Sequence, residues 1–84
     1  MKNQYKPPIQ TAFGGYFARN LRRFCLEQNL TQEEAADRCQ CSARGFGNLC
    51  RGVSLPTIQT LENVCKCFQC TPDDLLLPPP SRRG

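Results

Sequence analysis

The stretch "LTQEEAADRCQCSARGFGNLCRG", residues 30–52, constrains the fold most, because it holds two helix starts with almost nothing between the helices. Thr31 is placed to cap the free N–H groups of a following helix, and Glu34, three residues on, completes a capping box. Ser42 is the next N-cap, and only "QCS" connects the first helix to it. Ala35, Ala36 and Cys39 form the inner side of the first helix, small enough for another helix to lie close. Phe46, Leu49 and Cys50 fall at i, i+3 and i+4, the spacing of a buried face on a helix over 43–51. Two helices joined by so short a turn describe a helix-turn-helix unit. Gly45 and Gly47 sit inside the second helix although each costs a helix interior about 1 kcal/mol. Gly47 is expected on the outer side, where a missing side chain allows a partner close, and Gly45 against Ala35 and Ala36.

Around this unit the same logic predicts three more helices. Phe17, Leu21, Phe24 and Cys25 recur at helical spacing from Tyr16 to Gln28, with Asn29 as a left-handed stop. Thr57 opens a fourth helix carrying Leu61, Val64, Cys65 and Phe68 on one face. In "TPDDLLL", Thr71 caps, Pro72 takes the first helical position and two acids fill the first turn, before "PPP" stops a short fifth helix. No segment alternates as a strand, and no repeat is visible. The expected fold is all-α: a flexible arm over 1–13 ended by "GG", one domain over 14–77 and a disordered tail over 78–84.

Charge narrows the partner. The chain has a formal net charge of +4, and residues 1–52 hold eight of the eleven basic side chains but four of the seven acids. Arg38, Arg44 and Arg51 share residues 38–52 with no acid, which suggests an anionic partner. No apolar run approaches the ~20 residues of a membrane span, and the polar N-terminus lacks a secretory h-region, so the expected compartment is the cytoplasm. Enzyme readings are weak. With no histidine there is no Ser–His or Cys–His pair, and Glu33, Glu34 and Asp37 read as helix-start and surface charges.

"LTQEEAADRCQCSARGFGNLCRGVSLPTIQTL", followed by "TPDDLL", resembles the Cro and lambda-repressor-type helix-turn-helix family, also called the XRE family, over about Leu21 to Leu76. The resemblance implies a five-helix lambda-repressor-like DNA-binding domain whose third helix, 43–51, enters the major groove. Ser42, Ala43, Arg44, Gly47 and Asn48 match the family's outward, DNA-facing positions, and Gln32 matches a phosphate-contacting one. Arg44 suits a guanine edge and Asn48 an adenine, while Arg51 would hold a phosphate. The implied function is a sequence-specific bacterial or phage transcription regulator. Its expected partners are double-stranded DNA and a second copy of itself, with no cofactor, membrane or small-molecule ligand. The dimer surface is expected on Leu75–Leu77 of helix five or at the end of helix four. The alternative is a protein-interaction module, antitoxin-like or an adaptor, supported by the sparse reading face at Ala43 and Gly47.

Seven cysteines raise a last question. Cys39, Cys65 and Cys70 take family positions of Leu, Ala and Val, and Cys41 an apolar turn position, so the ordinary role is core packing. Cys65 and Cys67 point about 200° apart on a helix and no histidine completes a ligand set, so no metal is expected. Where the family pairs an Arg in helix one with a Glu ending helix three, this chain has Cys25 and Cys50, which makes them the candidate redox pair. The family's turn glycine is Gln40 here.

Overall fold

The computed structural model describes residues 11–78; the expected arm as far as residue 10 and the expected tail from residue 79 lie outside the described residues. Five helices and no strand stand among the described residues: α1 (Ala12–Glu27), α2 (Gln32–Arg38), α3 (Ala43–Arg51), α4 (Ile58–Phe68) and α5 (Pro72–Leu76). Every one starts on a Ser or Thr hydroxyl that accepts a backbone N–H three residues on. α2 and α5 add the reciprocal half, with the Glu34 and Asp74 carboxylates accepting from the Thr31 and Thr71 N–H groups at 2.9 and 3.0 Å.

α1 begins before the expected boundary. The Thr11 hydroxyl accepts from the Gly14 N–H at 2.9 Å, so Gly14 and Gly15 lie in the first turns of α1 instead of closing an arm. A hydroxyl cap together with burial of Phe17 and Ala18 outweighs the helix penalty of the two glycines.

The first four helices stop in one way. The backbone N–H groups of Leu30, Cys41, Val53 and Cys70 bond back to the carbonyls of Cys25, Ala36, Asn48 and Cys65 at 2.9, 2.9, 3.0 and 3.0 Å. The residue before each donor, Asn29, Gln40, Gly52 or Gln69, is left-handed, with φ of 59°, 61°, 76° and 57°. This is the Schellman closure, in which a left-handed residue turns the chain and an apolar residue folds back on the helix. Gln40 therefore leaves the shape of the turn intact, at the strain of a side chain in a left-handed conformation. Gln40→Gly is expected to raise the unfolding free energy by about 0.5–1 kcal/mol, less than the full strain because glycine also loosens the unfolded chain. Urea unfolding measures this, and a lower midpoint would contradict it.

α1 packs on α3 and α5, while α2 packs on α3. Phe17, Leu21 and Cys25 of α1 meet Ala35, Ala36, Phe46, Leu49, Cys50, Val64, Phe68 and Leu75 in one core, with Cys39 at the end of α2. Phe24 stacks on Phe68 with ring centroids 5.4 Å apart, and the Arg23 guanidinium lies 4.8 Å from the Phe24 centroid. The one fully buried polar side chain in this core is Asn20, whose amide donates to the carbonyls of Leu75 and Leu77 at 3.0 and 2.8 Å. Its oxygen accepts from Arg23 at 3.0 Å, so a single residue fastens the end of α5 to α1.

Leu75 is thereby fully buried, which removes it from the expected dimer surface. At the end of α4, Phe68 is buried while Lys66 and Gln69 are exposed. Leu77 stays 46% exposed, and Leu26 and Val53 are exposed elsewhere. At the two helix starts Phe13, Leu55 and Ile58 are 60%, 46% and 81% exposed and line a groove of about 350 Å³ with Pro56, Leu61 and Leu76. No helix among the described residues is long and apolar enough to cross a membrane.

Candidate nucleic-acid interface

α3 is anchored from behind and open in front. Phe46, Leu49 and Cys50 are buried on its inner side, while Ser42, Ala43, Arg44 and Arg51 are exposed. The Ser42 hydroxyl accepts from the Gly45 N–H at 3.0 Å, so its first task is capping the helix. Arg44 makes no ion pair or side-chain hydrogen bond among the described residues, which leaves its guanidinium fully available to a partner.

Gly47 departs from expectation. It is buried, not open on the outer ridge. A Cβ built there would meet Arg51 Nη1 at 3.2 Å and Gln32 Oε1 at 3.4 Å, so the glycine forms the floor of a notch that two polar side chains cover. Lacking a side chain, it lets Arg51 fold back along α3, where Nη2 donates to Asn48 Oδ1 at 2.5 Å. Gln32, Asn48 and Arg51 are thereby gathered from two helices onto one side. Gly45 is also corrected: a Cβ there would meet only the Ser42 hydroxyl, at 3.0 Å, and neither Ala35 nor Ala36.

A cleft of about 250 Å³ beside this group is lined by Arg22, Cys25, Leu26, Leu30, Gln32 and Cys50. The two cysteines at the family's ion-pair positions thus do come together, but both are buried and free. Burial pushes the Cys50 thiol up to about 11, with the Cys25 sulfur adding to the rise and Arg22 and Arg51 opposing it. Burial likewise raises Cys25. Thiols held protonated in this way are poor nucleophiles. The link between α1 and α3 is made instead by Arg22, whose Nη1 donates to the Cys50 carbonyl. Sequence reading missed Arg22, although it stands one helical turn before Cys25, on the same side of α1.

Burial also raises the thiols of Cys39, Cys41, Cys65 and Cys70, the last to about 12. A folded thiol that keeps its proton while the unfolded chain releases it near pH 9 stabilises the fold below that pH, and the benefit is lost as pH rises toward the folded values. Stability in reductant should therefore be flat up to about pH 8 and fall steadily above 9. Urea midpoints across that range measure the effect, and midpoints unchanged at about pH 10.5 would contradict it. Among the described residues no group of three or more Cys, Asp or Glu side chains is arranged to hold a metal ion.

A family model described as a helix-turn-helix domain matches residues 17–77. Among solved structures, the chain is similar to the SOS-response transcriptional repressor LexA from Eubacterium rectale at 20% identity and a TM-score of 0.78, covering 90% of this chain and 81% of that one. It is similar to the hypothetical transcription factor NHTF from Neisseria at 22% identity and a TM-score of 0.77, covering 93% and 88%. For the clp gene regulator ClgR from Corynebacterium glutamicum the identity is 22%, the TM-score 0.70 and the coverage 81% and 88%. No curated protein matches the chain. At these identities the solved structures share its fold, lambda-repressor-like and all-α, and the match over residues 17–77 goes further: the chain belongs to the helix-turn-helix domain family.

Proposed function

We propose that this protein is a sequence-specific DNA-binding transcription regulator that inserts α3 into the major groove. The observation that carries the reading is the outer side of α3 itself. Arg44 is exposed there without a partner among the described residues, and Gln32, Asn48 and Arg51 are gathered beside it. In this reading Arg44 donates to a guanine edge and Asn48 addresses an adenine. The Asn48 oxygen keeps a second lone pair while it accepts from Arg51, so the arginine orients the amide without blocking it. The remaining donors of Arg51, with the Gln32 amide, hold phosphates and set the register. Ser42 and Ala43 border the reading edge, and Gly47 acts from beneath, by making room for Arg51.

One such helix reads too few bases for selectivity. A second copy, seated on the Phe13, Leu55 and Ile58 groove, would supply the other half-site about one turn (~34 Å) away. The names of the structural neighbours, a transcriptional repressor and a hypothetical transcription factor among them, point to the same class of role.

The experiment is selection of bound fragments from a random duplex pool. The expected product is one enriched sequence with two related halves, bound with an affinity that falls steeply as salt rises. A pool without enrichment, or binding indifferent to salt, would leave the protein-interaction module as the better account.

A further inference from the structure

We propose that Cys65 and Cys70, at the end of α4, are a modification site at which a hydroperoxide closes an intramolecular disulfide. The Schellman closure of α4 binds the Cys70 N–H to the Cys65 carbonyl at 3.0 Å across the left-handed Gln69. That geometry brings the side chains of the first and last residues of the closure against each other, and here both are thiols. In α1, α2 and α3 the corresponding pairs are Cys25 with Leu30, Ala36 with Cys41 and Asn48 with Val53, so only α4 places two cysteines there. Access allows the reaction as well, as it does at the equally half-buried Cys41 and Cys67, which have no cysteine across a helix closure. Cys65 and Cys70 are half-buried, and Cys65 opens on a cleft of about 410 Å³ lined by Ile58, Leu61, Glu62 and Pro72. Cys25, Cys39 and Cys50 are buried, with 6%, 0% and 1% of their surface exposed.

The order of events follows from the two thiols. Burial raises Cys65, an effect the neighbouring Cys70 S–H offsets in part, whereas burial and the Cys65 sulfur together push Cys70 to about 12. Both thiols react slowly at neutral pH, and Cys65, which opens on the cleft, meets the peroxide first, leaving Cys70 as the resolving thiol. The Cys65 sulfur attacks the O–O bond of hydrogen peroxide, forming a sulfenic acid, and the displaced hydroxide takes up the thiol proton as water. The Cys70 sulfur then displaces the sulfenic hydroxyl, which leaves with the Cys70 proton as a second water. Two thiols lose two electrons and two protons, and one peroxide becomes two waters. The bridge ties the last turn of α4 to the segment leading into α5.

The test treats the full chain with limiting hydrogen peroxide, alkylates the remaining thiols after unfolding and maps the tryptic peptides. Trypsin cuts after Lys66, so the bridge joins the peptide ending there to the one beginning at Cys67. Fragmentation assigns the bond to Cys70, and the other five cysteines are recovered alkylated. The bridged protein melts several degrees above the reduced one. Cys70→Ser keeps the helical spectrum, abolishes the bridge between these peptides and leaves a Cys65 sulfenic acid that a cyclic 1,3-dione labels. A bond between Cys25 and Cys50, between Cys39 and Cys67 or between Cys65 and Cys67 would overturn the assignment. So would a folded protein that consumes no thiol.

Discussion

Phe46→Ala is expected to lower the unfolding free energy by about 3–5 kcal/mol, the largest single effect in this protein. Phe46 is fully buried in the middle of α3, between α1 and α2, and is one of the largest side chains with no exposure. Removing the ring loses its transfer free energy and leaves a cavity that α3 cannot collapse into, because Leu49 and Cys50 already hold that face. A chain of this size buries only about 60% of its unfolded surface, so such a loss consumes much of its stability. Urea unfolding should show a strongly reduced midpoint. Phe46→Leu, which keeps most of the volume, should fall well between the two. A midpoint for the alanine variant near that of the parent would mean that α3 is held by something other than its inner face.

Asn20→Leu is expected to cost about 2–3 kcal/mol although it keeps the volume of the side chain and adds apolar surface. The amide satisfies two carbonyls, of Leu75 and Leu77, and leucine leaves both without a donor. The loss should be local first. Amide exchange of α5 should quicken more than that of α2 or α3, because α5 reaches α1 through these bonds. Equal acceleration throughout would show that Asn20 contributes ordinary packing.

These two residues also mark what the sequence discloses. Phe46 was legible because helical spacing and the Ser42 cap placed it without ambiguity, and the bounds of α3 and the start of α5 emerge as read. Asn20 was not legible. A polar residue inside an apolar stripe looks like solvent-facing punctuation until a chain end from far along the sequence brings it two carbonyls. Asn29 announced its left-handed turn, whereas Gln40 and Gln69 did not, because glutamine carries no preference for that conformation. The start of α1 was hidden by Gly14 and Gly15, whose weakness as helix formers is overridden by the Thr11 cap and the burial of Phe17.

At the candidate interface the sequence placed Gln32, Asn48 and Arg51 on one side but not their arrangement. Whether a helical glycine opens a surface or makes room beneath another side chain depends on the neighbouring helix, here through Gln32. The cysteines show the same limit. Positional matching pointed to Cys25 and Cys50, which come together but are buried, while the closure at the end of α4 singles out Cys65 and Cys70 through a backbone hydrogen bond.

Binding of Arg44→Ala and Arg51→Ala to the selected operator and its single-base variants, at fixed salt, tests most directly whether α3 is the reading element. Arg44→Ala should lose about 1–3 kcal/mol on the operator and relax the preference at one base position. Arg51→Ala should weaken every sequence alike and shallow the salt dependence by about one counterion. If both variants bind the operator and its base variants as the parent does, α3 does not lie in the groove.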